Sequence, residues 1–408
     1  MKKLVFPPGF LWGSATAAHQ VEGNNTNSDW WMWEQSGGTQ PSGRACGQYE
    51  LYPQDLDLIK SLDQNCYRFS VEWARIQPDQ HTFSDKEIAH YRSLVDGLRQ
   101  RGIEPVVTLH HFTSPVWFDK LGSWYNPKAA DLFVRYCEKV VEALGDKVKY
   151  WITINEPMVL FYYGYIRGWW PPFGTSIPKS RHAHANFIRA HVHAYRLIHS
   201  IYKKKGFGQP KVSIAHNMVC FEPCTDTIID RCAAATRNKL YNMDILTSLC
   251  RRRTLDYIGL NYYTRNRIHA QKCSFNELMV EVCRNDCPRL PLNVMGWEIY
   301  PEGILKILRQ LRRYRLPVFI LENGICTDDD TQRWAYIRDH LEKVHQAIGE
   351  GSHVEGYCYW SLLDNFEWDK GFRPRFGIVE VDFATQRRTV RESARRYAQV
   401  CRTGVLEV

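Results

Sequence analysis

The chain has 408 residues, 44% of them hydrophobic, with 53 Lys and Arg against 44 Asp and Glu for a net charge of +9. That is enough for one large α/β barrel or two ordinary domains. The basic residues are scattered. The densest runs, Lys203-Lys204-Lys205 and Arg251-Arg252-Arg253, have no stacking aromatics between them, which reads as solvated helix ends or loops and argues against a nucleic-acid partner. No apolar run reaches the roughly 18 residues of a membrane span. The two lysines after Met1 lack a following apolar segment, so no signal peptide is expected. An odd 13 cysteines without framework spacing fit reduced thiols in a cytoplasmic protein. The pairs Cys220/Cys224 and Cys283/Cys287 read as packing or loop residues.

In chain order, 10–18 reads as a strand and turn with small residues, followed by the polar residues His19, Gln20 and Glu22. A Gly/Ser/Asn-rich loop is expected over 24–47. Apolar spacing at Leu56, Ile59 and Leu62 predicts a helix over 55–62. A strand over 65–71 and a helix over 88–101 follow, with Gly102 as the stop. The next pairs are strand 104–110 with helix 131–144, and strand 150–156 with helix 183–202. Then come strand 211–216 with helix 227–249, strand 256–263 with helix 303–314, strand 318–322 with helix 332–349, and strand 356–362 with helix 392–401. Eight buried-type strands alternating with helices predict a parallel sheet. Eight units with no linker between them predict a closed (β/α)8 barrel, a single domain over 1–408. The longer inserts, 24–47 and 265–295, are expected as loops at the barrel mouth.

Two of these strands share a construction. The run Tyr150-Trp-Ile-Thr-Ile-Asn-Glu-Pro157 is apolar and ends in Glu156, where Pro157 is expected to stop regular continuation. The run Pro317-Val-Phe-Ile-Leu-Glu-Asn-Gly324 ends in Glu322, with Gly324 turning the chain. A carboxylate at the end of a buried strand is costly unless it is used. In a parallel barrel both sit on the C-terminal rim, where active sites lie. Two facing carboxyl groups are the minimum equipment for glycoside hydrolysis.

At this point the chain resembles glycoside hydrolase family 1, the β-glucosidase family, over nearly its whole length. The motifs are Phe6 to Gly23, Tyr67-Arg-Phe-Ser-Val-Glu-Trp73, Thr153-Ile-Asn-Glu-Pro157, Glu322-Asn-Gly324 and Trp360-Ser-Leu-Leu-Asp-Asn-Phe-Glu-Trp368. The resemblance implies a cofactor-free, metal-free retaining exo-β-glycosidase acting on a small-molecule β-glycoside. Terminal β-D-glucosyl residues are the implied substrate, with galactosyl and fucosyl residues as further candidates. Glu156 is implied as acid/base and Glu322 as nucleophile, with a carboxyl separation of about 5–5.5 Å. Arg68, Tyr263 and Asn261 occupy supporting positions; Gln20, His111, Asn155, Trp360, Glu367 and Trp368 occupy the sugar-binding ones. Glu367-Trp368 resembles the branch acting on unphosphorylated sugars. Pro374 and Phe376 stand where the 6-phospho branch places Lys and Tyr, and an intact Glu156 differs from the thioglucosidase branch.

There are departures. Leu321 replaces a small polar residue, Phe112 replaces a Trp, and the connection from Asn242 to Asp256, before strand six, is short. That shortening is expected to widen the mouth, loosen local packing or remove aglycone contacts. The alternatives are a transglycosidase using the same residues, or a non-catalytic barrel that binds sugar or a partner. Structural readings stand beside these: Arg68 as a buried ion pair, Tyr263 as a core aromatic, Trp360 and Trp368 as filler. His182, His184, His191, His193 and His199 form a His-rich patch. Their spacings do not give the three- or four-residue pair that a helical metal site needs; one is expected to support the acid/base carboxylate.

Overall fold

The computed structural model describes residues 2–270, 281–282 and 290–408. Eight parallel strands close into a barrel in sequence order. They are β1 (Leu11–Ala15), β2 (Cys66–Ser70), β3 (Glu104–Thr108), β4 (Tyr150–Asn155), β5 (Lys211–Asn217), β6 (Ile258–Asn261), β7 (Val318–Asn323) and β8 (Val354–Trp360). β2, β4, β6, β7 and almost all of β3, β5 and β8 are buried, as strands covered on both faces must be.

The helices are amphipathic and lie outside the barrel: α1 (Gln48–Ser61), α2 (Asp85–Gln100), α3 (Ala129–Leu144), α4 (Ile177–Lys205), α5 (Ile228–Arg237), α6 (Asp244–Arg251), α7 (Pro301–Leu311), α8 (Asp330–Gly349) and α9 (Glu392–Thr403). α3 is representative. Leu132, Phe133, Tyr136, Cys137, Val140, Val141 and Leu144 fall on one face and are all buried. The apolar side chains form two layers: a large one between barrel and helices, and an inner one that includes Val106, Ile152, Ala215, Phe319 and Leu321.

Several expectations change. The 24–47 segment contains a helix, Asp29–Gln35, capped by the Ser28 side chain. Cys220–Pro223 and Arg265–His269 pair in parallel, and the latter pairs with Glu281–Val282, so part of the expected mouth loop is a small sheet. The rest of that insert, with Cys283 and Cys287, lies outside the described residues. Cys224 is disulfide-bonded, contrary to the reduced-thiol expectation there; the nine other described cysteines are free. Pro157 does not end regular structure: it opens the short helix Pro157–Leu160 at its first position, where a missing N–H goes unused. The 227–249 helix is interrupted by a π-helical turn, Asn238–Met243.

Gly324 is required for a reason other than the turn expected of it. A Cβ there would collide with the backbone carbonyl of Trp360 at the end of β8. Gly324→Ala should therefore destabilise the fold by about 1–3 kcal/mol, through overpacking against backbone. A urea midpoint unchanged from the wild type would contradict this.

Candidate active site

Polar side chains from the C-terminal ends of the strands converge on one cavity of ≈ 340 Å³. Gln20, His111, Asn155, Glu156, Tyr263, Glu322, Trp360, Glu367 and Trp368 all line it. Arg68 and Asn261 sit fully buried beneath, bonded to the lining residues. All eleven sequence-derived candidates are thus brought together.

The strands aim the two carboxyl groups by breaking register. β4 slips against β5 between Ile152 and Asn155, and β7 slips against β6 between Ile320 and Glu322. Such irregularities re-aim side chains at barrel rims. Glu156 itself lies in the left-handed region, φ 44° and ψ 56°, a placement that costs a non-glycine residue about 1–3 kcal/mol. Its backbone N–H donates to the Ala215 carbonyl at 2.7 Å, and its own carbonyl accepts from Val159 and Leu160. These bonds hold the residue where its side chain enters the cavity.

Glu322 is surrounded by donors. The Arg68 guanidinium donates to Oε1, and the Tyr263 hydroxyl donates to Oε2 at 2.6 Å. Arg68 also donates to Asn155 Oδ1 at 2.7 Å and to Thr108 Oγ1 at 3.2 Å. Asn155 Nδ2 in turn donates to His111 Nε2 at 3.1 Å. Burial, with Arg68 and His110 adding to it, holds His111 well below its usual range, so it is neutral.

Glu156 is in a different environment. Burial first, then the Glu322 charge, push its carboxyl up to about 8. Asn261 Nδ2 donates to its Oε1 at 2.8 Å, and Asn217 Nδ2 donates to the same oxygen at 3.2 Å. With two N–H donors on Oε1, the proton of the neutral acid belongs on Oε2. Glu367 is likewise pushed up to about 8, by burial and then by Glu322, against a bond from Gln20 Nε2 at 3.2 Å.

The aromatic walls are packed as well as exposed to the cavity. Trp360 stacks on His111 at 5.9 Å, and Trp368 stacks on His19 at 5.7 Å and on His111 at 6.1 Å. Phe112 fits between Trp170 and Trp368. Leu321 turns into the barrel interior, where it occupies the space that a side chain on Gly259 would need. His191 bonds Thr153 Oγ1 and the Thr254 carbonyl, at 2.7 and 2.6 Å. It braces β4 from outside and makes no hydrogen bond to Glu156. No group of His, Cys, Asp and Glu able to hold a metal occurs among the described residues.

Asn217, Tyr241 and Arg237 also line the cavity and were not singled out from the sequence. Asn217 carried a signal, as a polar residue at the end of β5. Tyr241 and Arg237 carried none, because they reach the mouth from the helical connection after it.

The model of glycosyl hydrolase family 1 matches residues 2–251 and 242–405. The two matched segments meet in the short connection. A 1,4-β-D-glucan glucohydrolase of Thermotoga neapolitana is 33% identical, with 100% of both chains covered. The structure of a β-glycosidase from Pyrococcus horikoshii superposes with a TM-score of 0.94 at 41% identity, covering 100% of this chain and 97% of that one. A β-glucosidase from Thermotoga maritima in complex with castanospermine superposes with a TM-score of 0.91 at 32% identity, covering 99% and 100%. A (β/α)8 barrel with paired carboxyl groups on its rim and these relatives is a glycoside hydrolase. The chain belongs to glycosyl hydrolase family 1.

The raised Glu156 carboxyl has a consequence for stability. The folded chain keeps a proton that the unfolded chain releases above the ordinary value of 4.5. Stability is therefore undiminished below that value and is lost as pH rises toward about 8. Glu156→Gln should remove this penalty, stabilising the fold at pH 8 by roughly 1–3 kcal/mol while changing little at pH 4. A lower thermal midpoint for the variant at pH 8 would contradict it.

Proposed function

We propose that the protein is a retaining exo-β-glycosidase that hydrolyses terminal non-reducing β-D-glucosyl residues, with galactosyl and fucosyl glycosides as further substrates, and that residues 1–408 form one domain. The observation that carries the reading is the contrast between the two carboxyl groups. Glu322 lies between a guanidinium and a phenol donor; Glu156 is pushed up to about 8. Environments that separate two carboxyl groups in this way assign them opposite roles.

In the first step Glu322 attacks the anomeric carbon while Glu156 gives its proton to the departing aglycone oxygen. The carbon–oxygen bond breaks and a glycosyl ester forms on Glu322. With the Glu322 charge gone, Glu156 acidifies and serves as base. It takes a proton from water, whose oxygen attacks the anomeric carbon and frees Glu322. Gln20, His111, Asn155 and Glu367 are assigned the sugar hydroxyls, and Trp360 and Trp368 the apolar face. Gln20 fits this role: its Nε2 is held by Asn365, the Phe366 carbonyl and Glu367. Its buried Oε1 has no partner among the described residues, where buried acceptors are normally paired.

We further place the protein in the cytoplasm on the strength of the nine free cysteines among the described residues; the Cys224 disulfide is the feature that speaks against it.

Hydrolysis of aryl and alkyl β-glucosides tests the reading. kcat/KM should fall on the alkaline side near pH 8, as Glu156 loses its proton. Glu156→Gln should lower kcat/KM, which reads the first step alone, by about 10²–10⁴-fold on an alkyl glucoside, and by much less on a nitrophenyl glucoside, whose leaving group needs no proton. Equal losses on both would remove Glu156 from the acid role, and no turnover of any β-glycoside by the wild type would sink the proposal.

A further inference from the structure

The helical connection between β5 and β6 does more than join two strands. Its π-helical turn, Asn238–Met243, is fastened to the end of β5. The fully buried Asn242 accepts from the Val219 N–H at 3.2 Å and donates to the Val219 carbonyl at 2.8 Å, while its own carbonyl meets His216 Nε2 at 2.9 Å. This clasp presents Tyr241 to the site. The Tyr241 ring packs edge-on against Phe221 at 5.7 Å. Its hydroxyl donates to Asn217 Oδ1 at 3.2 Å, and Asn217 Nδ2 donates to Glu156 Oε1 at 3.2 Å.

We propose that Tyr241 is a positioning residue that acts through Asn217 to keep Glu156 Oε1 an acceptor, so that Oε2 carries the proton transferred to the leaving group. An amide has one acceptor end and one donor end. A hydroxyl donating to Oδ1 turns Nδ2 toward Glu156. In the reversed orientation Oδ1 faces the carboxyl, favours a proton on Oε1 and opposes the ionised form. Burial raises the Tyr241 phenol well above its usual range, so it remains an O–H donor throughout the working pH. Asn261 supplies the second donor to Oε1 and by itself leaves the Asn217 amide free to turn. The inference rests on the acid/base role proposed for Glu156.

Tyr241→Phe keeps the ring and removes the bond. It should lower kcat/KM for an alkyl β-glucoside by about three- to tenfold, the effect of one aligned hydrogen bond, and move the alkaline limb upward. The same substitution in an Asn217→Ala background should have no further effect, because the route through Asn217 is already cut. The other ionisable groups around Glu156 remain in place: Glu322, Glu367, Arg68, Tyr163 and Tyr263. A readout without turnover separates this inference from the reading beneath it. The pH dependence of the Glu156 carboxyl infrared band, assigned by difference against Glu156→Gln, should shift upward in Tyr241→Phe. An unshifted band, or losses that add fully in the double variant, would overturn the role of Tyr241. An inactive wild type with a shifted band would overturn the glycosidase reading and leave the Tyr241–Asn217–Glu156 linkage standing.

Discussion

Arg68 is a fully buried guanidinium, and the site is arranged around its charge. An unpaired ion in that position would cost several kcal/mol. It is compensated from three other strands: by Thr108 on β3, Asn155 on β4, and Glu322 with the Leu321 carbonyl on β7. One cation thereby ties the acceptor beside one carboxyl group to the other carboxyl group directly. Of the two carboxyl groups it touches Glu322 alone. Glu322 has the close contact; for Glu156 the influence of Arg68 is weaker than burial or than repulsion from Glu322. The contrast between the surroundings of the two carboxyl groups, on which the proposed roles rest, thus follows from the position of a single guanidinium relative to two strand ends.

Strain and polar burial accumulate on this rim. Glu156, Phe112 and Trp368 all have positive φ, and Glu156 and Glu367 are both held neutral well above the usual carboxylate range. None of this favours folding by itself. The two apolar layers, inside the barrel and between barrel and helices, supply the rigidity that keeps these residues in place. What the strain and burial bring is orientation and altered acidity at Glu156 and Glu367.

Much of this was legible in the residues. Strands such as 150–156 and 318–322 declare themselves by β-branched and aromatic runs, and a carboxylate at the end of each is conspicuous. Closure followed from counting eight alternating units. What escaped depends on geometry that composition does not encode. The register breaks before Glu156 and Glu322 leave no trace in residue type. Pro157 reads equally well as a stop or as a first helical position, and only the left-handed Glu156 before it decides. The helix Asp29–Gln35 hides in a segment whose glycines and asparagines suggest a loop. Tyr241, which bonds Asn217, lies in a π turn, which periodicity at 3.6 residues does not anticipate.

The account stands or falls on Glu322 becoming covalently attached to sugar. Incubation with a 2-deoxy-2-fluoro-β-D-glucoside carrying a dinitrophenyl leaving group slows the second step more than the first, so the intermediate persists. Peptide mapping by mass spectrometry then locates the label. The account predicts one fluoroglucosyl group per chain, on the peptide holding Glu322, with loss of activity in proportion to labelling. A label on Glu156, or dinitrophenol release without any covalent adduct, would contradict it.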